Sequence, residues 1–255
     1  MKSKIIFCPR CIRDVDAHII VTPTFDGTSI VEYHCPICGS LLEIRREKLI
    51  LPERKIPAKK GLYIAFEGID GSGKTYYLHI AAEELRREGY KVVTVKEPWI
   101  RAIKEFLYKH EIDPDAEVYV FAADRIILQK EIILPALEEG KIVLSERSVY
   151  ASIAYQGSMG VSEEFIWAIN RSLKIPDKVI LLDLSPEEAL KRIKNRGELT
   201  KYENIEFLRK VRHKFLEIAA REPDRFIIID VQRDAEIVAK EVIEKVKVLV
   251  RDWLA

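Results

Sequence analysis

Two groups of residues in the 255-residue sequence have types and spacings suited to chemistry. The first is Gly68-Ile69-Asp70-Gly71-Ser72-Gly73-Lys74-Thr75, which fits GxxxxGK[ST]. Glycines let backbone N–H groups turn inward onto phosphate oxygens, and a helix opened by such a loop adds positive potential. In that frame Lys74 reaches the β- and γ-phosphates of a nucleoside triphosphate, and Thr75 offers its hydroxyl to Mg2+. The second group is Cys8-Pro9-Arg10-Cys11 and Cys35-Pro36-Ile37-Cys38, followed by Gly39. Each pair supplies two thiolates from one tight turn, which suits a tetrahedral ion. Gly39 suits the positive φ such a turn often requires. Zinc is the expected metal, iron is the chemical rival for four thiolates, and disulfides are the remaining reading. Four cysteines complete the shell, so His18 and His34 read as ordinary strand residues.

These residues need elements to hold them. Around the cysteines, HIIVTPTF and SIVEYHC read as short strands about an Asp26-Gly27 turn. So small a segment buries little apolar surface, and a bound metal would supply the missing folding energy. Residues 1–45 resemble a zinc ribbon. Residues 46–60 are rich in Lys and Arg and carry Pro52 and Pro57, which reads as a solvated linker.

From residue 61 the pattern becomes strands alternating with helices. The runs 62–67, 91–95, 141–146, 178–184 and 225–230 are apolar throughout, as strands buried on both faces are. Leu78, Ala81, Ala82 and Leu85 share one helical face, with Gly89 at a natural stop. Ser185-Pro186-Glu187-Glu188 reads as a capping box. Leu208, Val211, Phe215, Ile218 and Ala219 form a second face, and Ile237, Val238, Val242 and Val246 a third. The expected fold class is α/β: a three-layer P-loop domain with five parallel strands over 61–255, plus the small ribbon.

Composition removes several function classes. The 42 basic and 41 acidic residues nearly cancel, so nothing general points to a polyanion or membrane surface. No apolar run approaches the roughly 20 residues of a membrane span. MKSKIIFCPR lacks the apolar core of a secretion signal, which leads to an expectation of a cytoplasmic protein with reduced thiols.

Residues 61–255 resemble thymidylate kinase. FEGIDGSGKT (66–75), VFAADR (120–125), ERSVYASIAYQG (146–157) and PDKVILLDLSPEEALKRIKNRGE (176–198) carry the resemblance in the family's order. It implies ATP and Mg2+ as cofactors, dTMP as acceptor and a homodimer. Arg147 is expected to bring the donor and acceptor phosphates together, and Glu146 to hold Mg2+ with Thr75. Lys96 stands where the family has an acceptor-phosphate arginine. Arg192 and Arg196 would close over the donor, with Lys201 at a further position often held by arginine. Asp70 would bond the sugar 3′-hydroxyl, and Phe121 would stack on the base. Arg125 would meet a base carbonyl, with Ser152 and Gln156 along the base edge. Tyr155 and Trp99 read as packing residues, and His79 as structural.

Departures from the family pattern leave other readings open. Tyr76 follows Thr75, and Trp99-Ile100-Arg101 replaces the usual Gly-Gly-Thr. Glu146-Arg147-Ser148 is similar to the signature of deoxynucleoside kinases, in which Glu97 would act as general base on a 5′-hydroxyl. A third reading is a nucleic-acid-associated protein that contacts RNA or DNA through the ribbon and linker and only senses ATP. Asp70 and the FAADR, AYQG and RGE segments favour the nucleotide acceptor.

Overall fold

A computed structural model describes residues 4–23, 28–48, 61–194, 202 and 204–254. The chain divides into two compact units, Met1–Arg54 and Lys55–Ala255.

In the first unit, β1 (Ile5–Cys8) pairs antiparallel with β2 (Arg13–Asp16). A second antiparallel sheet joins β3 (His18–Pro23), β4 (Thr28–His34) and β5 (Leu41–Lys48) in that order. The strand β5 runs to Lys48, so it takes in the first residues of the segment read as a linker. Residues 49–60 and the Asp26-Gly27 turn lie outside the described residues. The cysteines sit on two matching turns. Ile12 N–H donates to Cys8 O at 2.8 Å, and Gly39 N–H to Cys35 O at 2.9 Å. Gly39 has φ 71° as its turn requires, but the equivalent place in the first turn holds Ile12 at φ 54°, unusual for a β-branched residue.

The second unit is a three-layer α/β domain. In chain order it contains β6 (Leu62–Glu67), α1 (Lys74–Arg87), β7 (Val92–Lys96), α2 (Arg101–Lys109), α3 (Pro114–Leu128), α4 (Leu134–Glu138), β8 (Ile142–Glu146), α5 (Val149–Ser158), α6 (Glu163–Asn170), β9 (Lys178–Asp183), α7 (Pro186–Lys194), α8 (Ile205–Arg221), β10 (Phe226–Asp230) and α9 (Ala235–Leu254). A π-helical turn, Gln129–Ile133, carries α3 into α4.

The five strands are all parallel, in the order β10-β9-β6-β8-β7. Every residue of β6 and β8 is buried, as their uninterrupted apolar runs require, while the edge strands β7 and β10 are partly exposed. From β6 the chain passes to the edge strand β7, returns to lay β8 between them, and then crosses β6 to add β9 and β10 on the other side. That reversal opens a crevice at the carboxyl ends of β6 and β8, where open α/β sheets bind ligands.

The helix faces read at 78–85 and 208–219 are buried. The third differs. Val238, Val242, Val246 and Val250 form the buried stripe of α9 at four-residue spacing, and Ile237, one residue off it, is 56% exposed.

Candidate active site

The loop from Gly68 to Gly73 turns out of β6 into α1. Gly68, Gly71 and Gly73 all adopt positive φ. At Gly68 a Cβ would stand 2.5 Å from Leu182 O, so no larger residue fits there without moving β9. Lys74 is buried and donates to Gly68 O at 2.9 Å and Ile69 O at 2.8 Å. Burial, then the neighbouring Arg147, pulls its ammonium down to about 8 against the attraction of Asp70 and Glu146.

Beside the loop, Thr75 Oγ1 donates to Glu146 Oε2 at 2.7 Å, and Lys96 Nζ stands 2.8 Å from Glu146 Oε1. Burial alone would raise the Glu146 carboxyl, but hydrogen bonds from Lys96 and Thr75 outweigh it and hold the group below its ordinary value. The Thr75 hydroxyl and this carboxylate are hard oxygen donors at the mouth of a phosphate-binding loop, and such a set fits Mg2+.

Arg147 follows Glu146 with φ 73°, outside the usual range for a side-chain-bearing residue. This bend turns its side chain back across the loop. There its guanidinium pairs with Asp70 Oδ1 and lies 4.7 Å from the centre of the Tyr155 ring. Tyr155 donates from its hydroxyl to Asp70 Oδ2 at 3.1 Å and accepts from Asp70 N–H at 3.1 Å. Burial would raise the Asp70 carboxyl, yet Arg147 and Lys74 bring it down to about 2. Asp70 therefore stays anionic, a ready acceptor for a hydroxyl. Tyr155, read from sequence as packing, is part of this cluster, and only the tertiary contact reveals it.

A cavity of about 290 Å³ opens from Asp70 and Arg147 and is lined by Phe121, Ser152 and Gln156 among others. Arg125 also lines it, but most of its hydrogen-bonding capacity faces the protein. Its guanidinium donates to Glu97 Oε2 at 2.8 Å, Asn170 Oδ1 at 2.7 Å, and Ser148 O and Ser152 Oγ at 3.2 Å each. Its guanidinium is thereby committed largely to the protein. Glu97 is buried against Arg125 and its carboxyl is raised by that burial. The neighbouring Asp124 accepts from the N–H groups of Trp99 and Ile100, both at 2.7 Å. Gln156 donates to Glu117 at 2.9 Å, as does the Tyr202 hydroxyl. Glu117 and Asp124 escaped sequence reading because a carboxylate on an amphipathic helix looks like a solvated one.

Arg192 on α7 donates to Val231 O at 3.0 Å. Arg196 and Lys201 lie outside the described residues. Trp99, read as a packing residue, is 43% exposed, and His79, read as structural, lies exposed on α1.

In the first unit the four cysteine Sγ atoms lie within 4.8 Å of one another. Cys8 and Cys38 are 3.7 Å apart, and Cys11 and Cys35 3.8 Å, too far for disulfides. A tetrahedron with metal–sulfur bonds of about 2.3 Å has edges of about 3.8 Å, so the spacing suits a metal ion. A hydrogen bond with the Ser40 hydroxyl, and then the Ser40 amide, brings the Cys38 thiol down to about 6, toward the thiolate a metal needs.

The glycine loop at the carboxyl end of the central parallel strand, the Thr75–Glu146 pair and the adjoining cavity define a P-loop nucleotide kinase. A family profile described as thymidylate kinase matches residues 66–242. The chain belongs to the thymidylate kinase family. It is 44% identical over 194 residues to a probable thymidylate kinase of Pyrobaculum aerophilum, covering 74% of this chain and 98% of the relative. A probable thymidylate kinase of Pyrococcus horikoshii is 41% identical over 180 residues, covering 66% of this chain and 88% of the relative. A thymidylate kinase of Thermoanaerobacter sp. is 37% identical over 199 residues, covering 74% and 98%. The four cysteines all precede the residues matched by the profile.

Proposed function

We propose that this chain transfers the γ-phosphoryl group of ATP to dTMP, giving dTDP and ADP. The observation that carries this reading is the Lys74–Asp70–Arg147 cluster, which joins the phosphate loop to the acceptor-sized cavity. Phosphoryl transfer between two polyanions needs alignment and concentrated positive charge more than acid–base work. The amides of Gly71, Ser72 and Gly73 and the Lys74 ammonium grip the donor phosphates. Arg147 holds donor and acceptor phosphates together across the junction. Thr75 and Glu146 would hold Mg2+, which supplies charge neutralisation on the donor oxygens. Asp70 accepts from the sugar 3′-hydroxyl, Phe121 stacks on the base, and Ser152 and Gln156 line its edge. Arg125 braces that wall and would meet a base carbonyl from it. Arg192, with Arg196, adds cationic charge over the donor.

Glu97, the candidate base for a nucleoside hydroxyl, is bound to Arg125, and the family membership favours a nucleotide acceptor. The first unit carries one structural zinc on Cys8, Cys11, Cys35 and Cys38. The protein forms homodimers, a reading supported by exposed Tyr119, Ile126 and Ile127 on α3. Among the described residues no helix is long and apolar enough to cross a membrane.

The test is a panel of dTMP, dUMP, dCMP and thymidine incubated with ATP and Mg2+, with products separated by chromatography. dTDP is the expected product. Phosphorylation of thymidine without phosphorylation of dTMP would overturn the reading.

A further inference from the structure

Lys96 closes β7, directly opposite Glu146 in the parallel register with β8. Its ammonium stands 2.8 Å from Glu146 Oε1 and 3.5 Å from Thr75 Oγ1. Thr75 and Glu146 are the two side chains that fit Mg2+, so a lysine of this chain already sits on the oxygens a divalent cation would take. Two cations a few ångströms apart on one buried carboxylate repel each other. One of them has to give way, and the structure shows which can. Glu146 is 8% exposed and tied to Thr75, whereas Lys96 is 51% exposed on a flexible stem at an edge strand. The displaced ammonium also has a destination. Glu97, the next residue, lines the acceptor cavity, so Lys96 is one residue along the chain from that lining.

We propose that Lys96 couples the metal to the acceptor: it is the counter-ion of Glu146 and a hydrogen-bond donor to Thr75, and the divalent cation of the donor complex releases it to the acceptor's phosphate. This rests on the phosphoryl-transfer reading above and adds to it a linkage between two ligands. Because coupling is reciprocal, metal-loaded donor tightens acceptor binding and acceptor tightens metal binding. Donor without metal leaves Lys96 on Glu146 and has no such effect.

The test has two arms on the full chain. In the first, calorimetry measures dTMP binding at saturating non-hydrolysable ATP analogue, with Mg2+ or with EDTA. The wild type is expected to bind dTMP at least about fivefold more tightly with Mg2+, the lower end of typical coupling. Lys96→Arg keeps the charge and the gain, while Lys96→Met binds dTMP equally with and without metal. In the second arm, electron paramagnetic resonance follows Mn2+ binding with the analogue and no acceptor. Lys96→Met is expected to bind Mn2+ several-fold more tightly than the wild type, its competitor having gone. Metal-dependent gain that persists in Lys96→Met, or Mn2+ binding no tighter in that variant, overturns the proposal. If dTMP gives no heat in any protein, the acceptor reading falls, and the Mn2+ arm still decides whether Lys96 competes with the metal.

Discussion

The Ser145 hydroxyl donates to the carbonyl oxygen of Arg147 at 2.6 Å, and this short bond fastens one side of the left-handed bend at Arg147. The Arg147 N–H donates to Phe66 O at 3.0 Å and fastens the other. A side-chain-bearing residue at positive φ costs about 1–3 kcal/mol and persists only where its surroundings impose it. Ser145 is fully buried, so Ser145→Ala leaves the Arg147 carbonyl without its partner, at about 1–3 kcal/mol. Stability measured by denaturant should fall by that amount. A loss of about 1.4 kcal/mol in the alignment of Arg147 would cut kcat about tenfold. Both should recover in Ser145→Thr. A Ser145→Ala enzyme with wild-type kcat and stability would show that the bend needs no such tether.

Arg147 itself is the junction between loop and cavity. Arg147→Ala should lower kcat by on the order of a thousandfold, the lower range for an arginine that stabilises transferring phosphoryl charge. Arg147→Lys should recover little, since an ammonium cannot reproduce the planar fork over Tyr155 and Asp70. Lys74→Ala should abolish transfer likewise. Steady-state rates alongside circular dichroism decide the matter, and near-normal turnover in either alanine variant would refute the assigned role.

Glu67 supplies a pH dependence of stability. Its side chain is fully buried and accepts from Ser148 at 2.6 Å. Burial raises the carboxyl from an ordinary 4.5 to about 7, against the opposing pull of Ser148 and Arg147. Between those values the native state keeps a proton that the unfolded chain has lost. Stability therefore falls as pH rises through this window and levels off above it, by on the order of 3 kcal/mol across the range. Denaturant unfolding at pH 5 and pH 8 should show the loss in the wild type and a markedly smaller one in Glu67→Gln. Equal slopes in the two proteins would show that Glu67 is ionised throughout.

Metal analysis of protein purified without chelator should find about one zinc per chain, as a four-cysteine shell holds one ion. The Cys8→Ser/Cys11→Ser double variant should lose it, and with it the fold of the first unit. Finding no metal in the wild-type protein would remove the zinc assignment.

Much of this was legible because the informative residues are local. The glycine loop, the five apolar runs and the cysteine pairs each announce themselves within a dozen residues, and each signal has a short-range physical cause. What the sequence hid depends on distant contacts. Tyr155 looks like a helix packing residue until its hydroxyl meets Asp70, 85 positions away. Asp124 adjoins Arg125 in a motif whose phenylalanine and arginine carry the resemblance, and its role shows only in its bonds to Trp99 and Ile100. Ile237 and Val238 are adjacent apolar residues, so the stripe of α9 is ambiguous by one residue in the sequence and only packing resolves it.

The side chains of Asp124 and Arg125 grasp the Glu97–Ile100 segment at its two ends, one through backbone amides and the other through a carboxylate. These bonds tie α3 to that segment along one side of the cavity. A wall fastened at both ends in the ligand-free chain has less to lose in conformational freedom when a ligand settles against it.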